Sequence, residues 1–306
     1  MKKIICVLLI ISLFLICFAA CSFFNIQKAK PVENTYTFEE DFSSVRVDVS
    51  ECDVFFLPTQ DEKCTVECHE TDLFKHNAKV ENGTLSVERE KSVGIAYNAN
   101  GLVLQIKIYL PKTAYEKIEV NTSSANVNVD KSFVLNNLDV KTSSGDISVF
   151  AIVEQNANFR TSSGDITTDG FSAADLKINT SSGDVNLKKT SASACRVNTS
   201  SGNVRLNDVS CQSNFSFDTS SGDLIINKFK SQNLTVETSS GDISAAELNC
   251  VDLTIKTSSG DVELGLVSGK IFNVRSSSGK LEYPYSSGSG TCNVTTSSGD
   301  VKITIG

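Results

Sequence analysis

The sequence predicts an all-β protein: a single-stranded, right-handed β-helix (β-solenoid) of 19–20-residue coils behind an N-terminal strand-rich cap. Three observations predict it. TSSGD stands intact at 142–146, 161–165, 180–184, 219–223, 238–242, 257–261 and 296–300, with near-copies TSSAN at 122–126, TSSGN at 199–203 and SSSGK at 276–280. The glycines of these phrases follow one another every 19 or 20 residues, a period that marks stacked repeats. Around each phrase apolar and polar residues alternate, as in Leu176/Ile178 before it and Val185/Leu187 after it, the pattern of a strand that buries one face.

From the N-terminus, the first element reads as an export signal over residues 1–20. Lys2 and Lys3 precede an uncharged apolar run, Ile4 to Ala20, that ends in small residues. Phe18-Ala19-Ala20-Cys21 resembles a bacterial lipobox, although Phe18 stands where Leu is usual; the resemblance implies lipid attachment at Cys21. An uncleaved anchor is the alternative, since about twenty uncharged residues suffice to cross a bilayer with the lysines left inside. Either reading places the rest of the chain outside the cytoplasmic membrane and tethered at its N-terminal end. The expected localisation is extracytoplasmic, on the bacterial cell membrane as a lipoprotein. Residues 21–37, with Pro31 and no clear period, read as the lipid-anchored linker.

Residues 38–118 read as the cap and first coil. "VRVDVSECDVFFLP" (45–58) alternates Val45, Val47 and Val49 and puts Glu51-Cys52-Asp53 at a corner, like an opening coil. "CTVECHETD" and "GTLSVERE" read as strands with a turn at Asn82-Gly83, and "LVLQIKIYLP" (102–111) alternates inward until Pro111. A cap is expected here because an open end of unpaired strands invites aggregation.

Residues 119–306 are the TSSGD-repeat β-helix. Each unit is a strand, a corner, a second strand and a return; it cannot bury its apolar face alone, so neighbours stack in parallel ~4.8 Å apart. Within the phrase, glycine is expected to supply positive φ. Asp is expected to accept backbone N–H bonds. Thr is expected to face inward at the rim, bonded to its own turn or to the next coil. The phrase is therefore scaffolding. Its rival is a cation-binding row of Asp146, Asp165, Asp184, Asp223, Asp242, Asp261 and Asp300, but Asn203 interrupts the row and Lys280 reverses its sign. Repulsion between such charges in water is only about 1 kcal/mol, so the row needs no metal.

"IYLPKTAYEKIEVNTSSANVNV" (108–129), the serial TSSGD units and the ending "GDVKITIG" together resemble the putative-adhesin β-strand-repeat family of bacterial envelope proteins, over roughly residues 42–306. The resemblance implies a β-helix and frequent membrane tethering. It implies no activity, and it supplies no catalytic or binding residue.

The remaining residues offer little chemistry. Seven cysteines follow Cys21: Cys52, Cys64, Cys68, Cys195, Cys211, Cys250 and Cys292. The last four fall at small or apolar core slots and read as buried thiols. Cys211 and Cys250 share a ladder two coils apart, beyond disulfide reach. A disulfide from Cys52 to Cys64 or Cys68 stays open. Cys64 and Cys68 on one strand lie ~13 Å apart, too far to share a tetrahedral zinc. His69 and His76 carry no nucleophile motif. Tyr283 and Tyr285, in the one elongated coil, form a candidate sugar-stacking pair, with Leu281 and Tyr283 expected to continue the inward alternation instead. Outward positions from Lys141 to Thr295 mix signs, and removal of residues 1–20 takes the net charge from −8 to −10, which argues against nucleic acid.

The expected function is a non-catalytic, tethered surface that binds or supports, adhesin-like, with an envelope glycan or protein as partner. No catalytic residue, metal or cofactor is expected. The alternatives are a glycan-processing enzyme on the same scaffold and an accessory protein in envelope-stress sensing.

Overall fold

The computed structural model describes residues 27–90, 97–98 and 101–306. The expected export signal and Cys21 lie outside the described residues. Every regular element among those described is a β-strand. In the repeat region the strand before each phrase lies parallel on its counterpart one coil away, and so does the strand after it. Ser172–Asn179 lies on Ser191–Asn198 with Leu176 opposite Cys195 and Ile178 opposite Val197. Val185 lies opposite Val204 in the same way. Like residues sit over like, which is the β-solenoid the period requires. Inward ladders such as Ile178, Val197, Phe217, Val236 and Ile255 are almost fully buried. Each contributes about 1.5–3 kcal/mol relative to exposure, and only stacking supplies that burial.

The corner works differently from expectation. Its glycines do not take positive φ. They are required by close stacking: a Cβ on Gly164 would lie 1.9 Å from the Gly145 carbonyl oxygen, and one on Gly183 would lie 1.8 Å from that of Gly164. Left-handed residues occupy the opposite bend instead, at Gly170, Lys189, Asp208, Lys228 and Glu247, with φ between 45° and 69°. Four of these five carry side chains, and Lys228 reaches Asp208 of the preceding coil at 2.8 Å.

Threonine and aspartate complete the corner. The hydroxyl of Thr161 accepts the Gly164 N–H at 3.1 Å, and Thr142 does the same for Gly145 while donating to the Ser123 carbonyl. The aspartate bonds between coils and not within its own turn: Asp146 Oδ1 accepts the Asp165 N–H, and Asp165 Oδ1 accepts that of Asp184, both at 2.8 Å. Ten such bonds run from Asp53 through Asn126 and Asn203 to Lys280 and connect eleven corners.

At the N-terminal end the solenoid passes into an antiparallel cap. Ser44–Asp48 and Asp53–Thr59 stack under the first TSSAN coil, and Thr84–Arg89 and Gln105–Pro111 lie beneath them. Cys64–Thr71 then pairs antiparallel with both Gln105–Pro111 and Pro31–Phe38. The expected linker of 21–37 is therefore too long, because residues 31–37 belong to this last strand. The alternation of Val32, Asn34, Tyr36 and Phe38 puts one face on the cap, and Tyr36 and Phe38 pack against the core.

The C-terminal end departs from chain order. Leu253 pairs with Cys292, and Cys292 pairs in turn with Phe272. Val262 pairs with Val301, and Val301 with Leu281. The last coil in sequence is thus inserted beneath the one before it, and the SSSGK coil becomes outermost. Three local interactions favour this order. Insertion separates Lys256 from Arg275 by Thr295 and places Lys302 between Glu263 and Glu282. Sequential stacking would have set like charges directly opposite, which is destabilising. Lys280 carries no acceptor for a further N–H, so it can only end the aspartate ladder, where its own N–H donates to Asp300.

Candidate binding surface at the distal tip

Among the described residues, nothing is stacked on the outermost coil. Among the described strands, Ile271–Ser276 pairs only with Thr291–Thr296, and Leu281–Glu282 only with Val301–Ile305. Inward-pointing Phe272 and Leu281 are consequently only half-buried. Tyr283 leans on Phe272 with ring centroids 6.1 Å apart and planes at 46°. Tyr285 is 96% exposed and Ile271 55% exposed. The inward alternation expected of Leu281 and Tyr283 holds for Leu281 and fails for Tyr283, which is 45% exposed. The strand stops at Glu282, ahead of Pro284, and no further coil among the described residues covers the ring. The aromatic pair is therefore presented to solvent.

The tip is firmly supported from below. Lys270 is buried, and its ammonium donates to the Cys250 and Val251 carbonyls two coils down. A Cβ at Gly290, in the coil between, would lie 2.1 Å from the Val251 oxygen, so glycine permits the close stacking there. The Phe272 N–H donates to Ser286 Oγ and the Ser287 N–H to the Lys270 carbonyl, each at 3.0 Å, which folds the YPYSSGSG segment against the end.

The other residues singled out in the sequence serve the scaffold. All seven cysteines after Cys21 are buried and free, including Cys52, Cys64 and Cys68. Burial pushes the Cys64, Cys68 and Cys292 thiols up to about 12 and the Cys250 thiol up to about 11. The Cys195 thiol is raised by its hydrogen bond with Cys211 and then by burial. Thiols held protonated in this way are poor nucleophiles and ligands. Among the described residues no three His, Cys, Asp or Glu side chains converge on a metal position. His69 faces Glu33 at 3.3 Å, and buried His76 bonds Glu70 through Nδ1 at 2.9 Å. Both histidines join cap strands.

Shallow grooves mark the flanks among the described residues. One of 410 Å³ is lined by Ile152, Ala173, Ser191, Ala192 and Ser210. One of 600 Å³ is lined by Ile225, Ala246, Gly265, Val267 and Thr304. A third, of 370 Å³, runs along Thr219, Glu237, Thr238 and Lys256, where Lys256 already pairs with Glu237 at 2.7 Å.

The carboxylates of the flanks stabilise the stack. Lys188 holds the Asp169 carboxyl below the usual aspartate range, and Thr291 does so for Asp252. Burial pushes Asp184 up, but Arg205 and the Asn203 N–H outweigh it and leave that carboxyl lowered as well. Depressed folded values stabilise fully above the unfolded aspartate pKa of about 3.9 and lose that contribution as pH falls through them. The melting temperature is therefore expected to stay level from about pH 7 to 5 and to drop below about pH 4. A calorimetric pH series checks this.

A family model for Toastrack DUF4097 matches residues 42–227 and 195–306. The chain belongs to the Toastrack DUF4097 family. This is the domain of unknown function to which the repeat phrases pointed. No curated protein matches the chain. Solved structures similar to it include a putative adhesin from Parabacteroides distasonis ATCC 8503, with TM-score 0.51 and 14% identity over 92% of this chain and 100% of that one. A putative adhesin from Bacteroides fragilis NCTC 9343 gives TM-score 0.42 and 12% identity over 90% of this chain and 99% of that one. A putative lipid binding protein from Parabacteroides distasonis ATCC 8503 gives 0.47 and 16% over 90% and 98%. The likeness is one of fold and rests on the first of these.

Proposed function

We propose that this Toastrack protein is a non-catalytic, membrane-tethered extracytoplasmic rod whose distal tip binds an envelope glycan or protein, in the manner of an adhesin. The observation that carries the reading is the exposed Phe272–Tyr283–Tyr285 surface at the end opposite the cap where the chain enters. A tether at Cys21 would leave that end farthest from the membrane. Aromatic side chains offer large contact area at low entropic cost and dominate binding hot spots. The adhesin description of the Parabacteroides distasonis structure fits such a role. One flank groove brings Asp218 and Glu237 together beside Lys256, but Lys256 is already paired with Glu237 at 2.7 Å.

The test uses the chain from residue 27 on a glycan array and in a pull-down from envelope extract, beside a Tyr283→Ala/Tyr285→Ala variant. Loss of two anchors should weaken capture by about tenfold or more, at 1.4 kcal/mol per tenfold. Binding that survives the double substitution would remove the tip from consideration, and glycan cleavage would favour the enzyme alternative.

A further inference from the structure

We propose that the slot between the coil ending at Leu266 and the outermost coil is a strand-exchange site, filled here by the chain's own last coil and equally able to take that coil from a second copy. The slot is chemically matched to residues 291–305. Lys302 lies between Glu263 and Glu282, and Thr295 lies between Lys256 and Arg275. Asp300 donates its N–H to Asp261 and accepts that of Lys280. Cys292 and Val294 are fully buried there. These contacts are the same whichever chain supplies the strand.

The connection makes exchange accessible. Eight residues, 283–290, join Leu281–Glu282 to Thr291–Thr296. The preceding coil spans the same positions, Glu263 to Ile271, with seven residues. The linker has only one residue more, yet it must also step back past a coil. It does so through Gly288 and Gly290, at φ +99° and +80°, both in close backbone contact. Fully extended, eight residues reach about 27 Å, ample to pass from one tip into a slot one ~4.8 Å layer inside another. Short hinges that close tightly within one chain invite swapping.

Refolding from guanidinium at rising concentration, followed by native mass spectrometry of the chain from residue 27, reads the exchange. The expected result is a dimer whose fraction grows with refolding concentration and whose mixed-label form appears only after unfolding. Deleting Tyr285 to Gly288 should raise that fraction about tenfold, since it strains only the closed monomer. A Gly265→Cys/Thr304→Cys variant identifies the strand's origin, because these positions are register partners on the outward face. In the swapped dimer the new pair links two chains covalently on a non-reducing gel; in a dimer of docked tips it does not. Dimers without that link overturn the proposal. So does a protein that remains monomeric at every refolding concentration, a result that needs no linker variant.

Discussion

Gly202→Ala is expected to destabilise the solenoid by about 3 kcal/mol or more, the upper end of over-packing penalties. The new Cβ would lie 1.9 Å from the Gly183 carbonyl oxygen and 2.7 Å from its carbon, more than an ångström inside contact distance. Backbone on both sides cannot step away without cost. Separating the corners breaks the Ser201 N–H bond to the Ser181 carbonyl and the Asn203 N–H bond to Asp184. At 2–4 °C per kcal/mol the midpoint should fall by roughly 6–12 °C. A stack that is stable only through its neighbours should also begin to melt in two steps around the weakened layer. Two comparisons isolate the cause. Gly265→Ala, whose Cβ would meet nothing closer than 3.4 Å, should change stability by less than about 1 kcal/mol. Gly202→Asn should be no milder than Gly202→Ala, whereas a left-handed requirement would favour asparagine. Thermal melts that rank asparagine above alanine would refute the steric account.

Glu70→Leu is expected to cost about 3–5 kcal/mol and to free the outermost cap strand, because it removes one member of a buried polar cluster and leaves the others. Both Glu70 and His76 are buried. One Glu70 oxygen accepts the His76 backbone N–H at 2.7 Å and approaches Nδ1 at 2.9 Å, and the other accepts from Asn34 at 2.5 Å. The His76 ring is further held edge-on by Phe74 at 5.0 Å, and among the described residues Nε2 has no hydrogen-bond partner, so no alternative acceptor is at hand there. Asn34 belongs to Pro31–Phe38, and that strand also bonds the cap through Tyr36 to the His76 carbonyl at 2.8 Å. Hydrogen exchange should show residues 31–38 losing protection first, with the repeat region unchanged. A variant within about 1 kcal/mol of the parent, with those amides still protected, would show the cluster to be dispensable.

Much of the fold was legible because its determinants are local. The spacing of the glycines gives the coil length, and the alternation around Leu176/Ile178 and Val185/Leu187 gives the buried face. Cys195 in a Leu/Phe ladder and Cys211 above Ser231 were placed correctly by position alone. The linker was misread because Val32-Glu33-Asn34-Thr35-Tyr36 is a weakly apolar alternation whose partners, Val66 to Glu70, lie far along the chain. The candidate tip was half legible: Tyr283 and Tyr285 stood out as an elongated coil, but their exposure depends on which coil comes last. A signal was present all along, since chain order would have put Arg275 on Lys256 and Glu282 on Glu263.

The chain's own letters determined a parallel stack of like residues, with threonine inside and a repeated corner, because period and alternation act within a few residues of one another. Only the assembled fold decided why the corner must be glycine, where the left-handed bend falls, and which coil forms the tip. Those outcomes depend on atoms of different coils brought within a few ångströms, a distance no stretch of sequence expresses by itself.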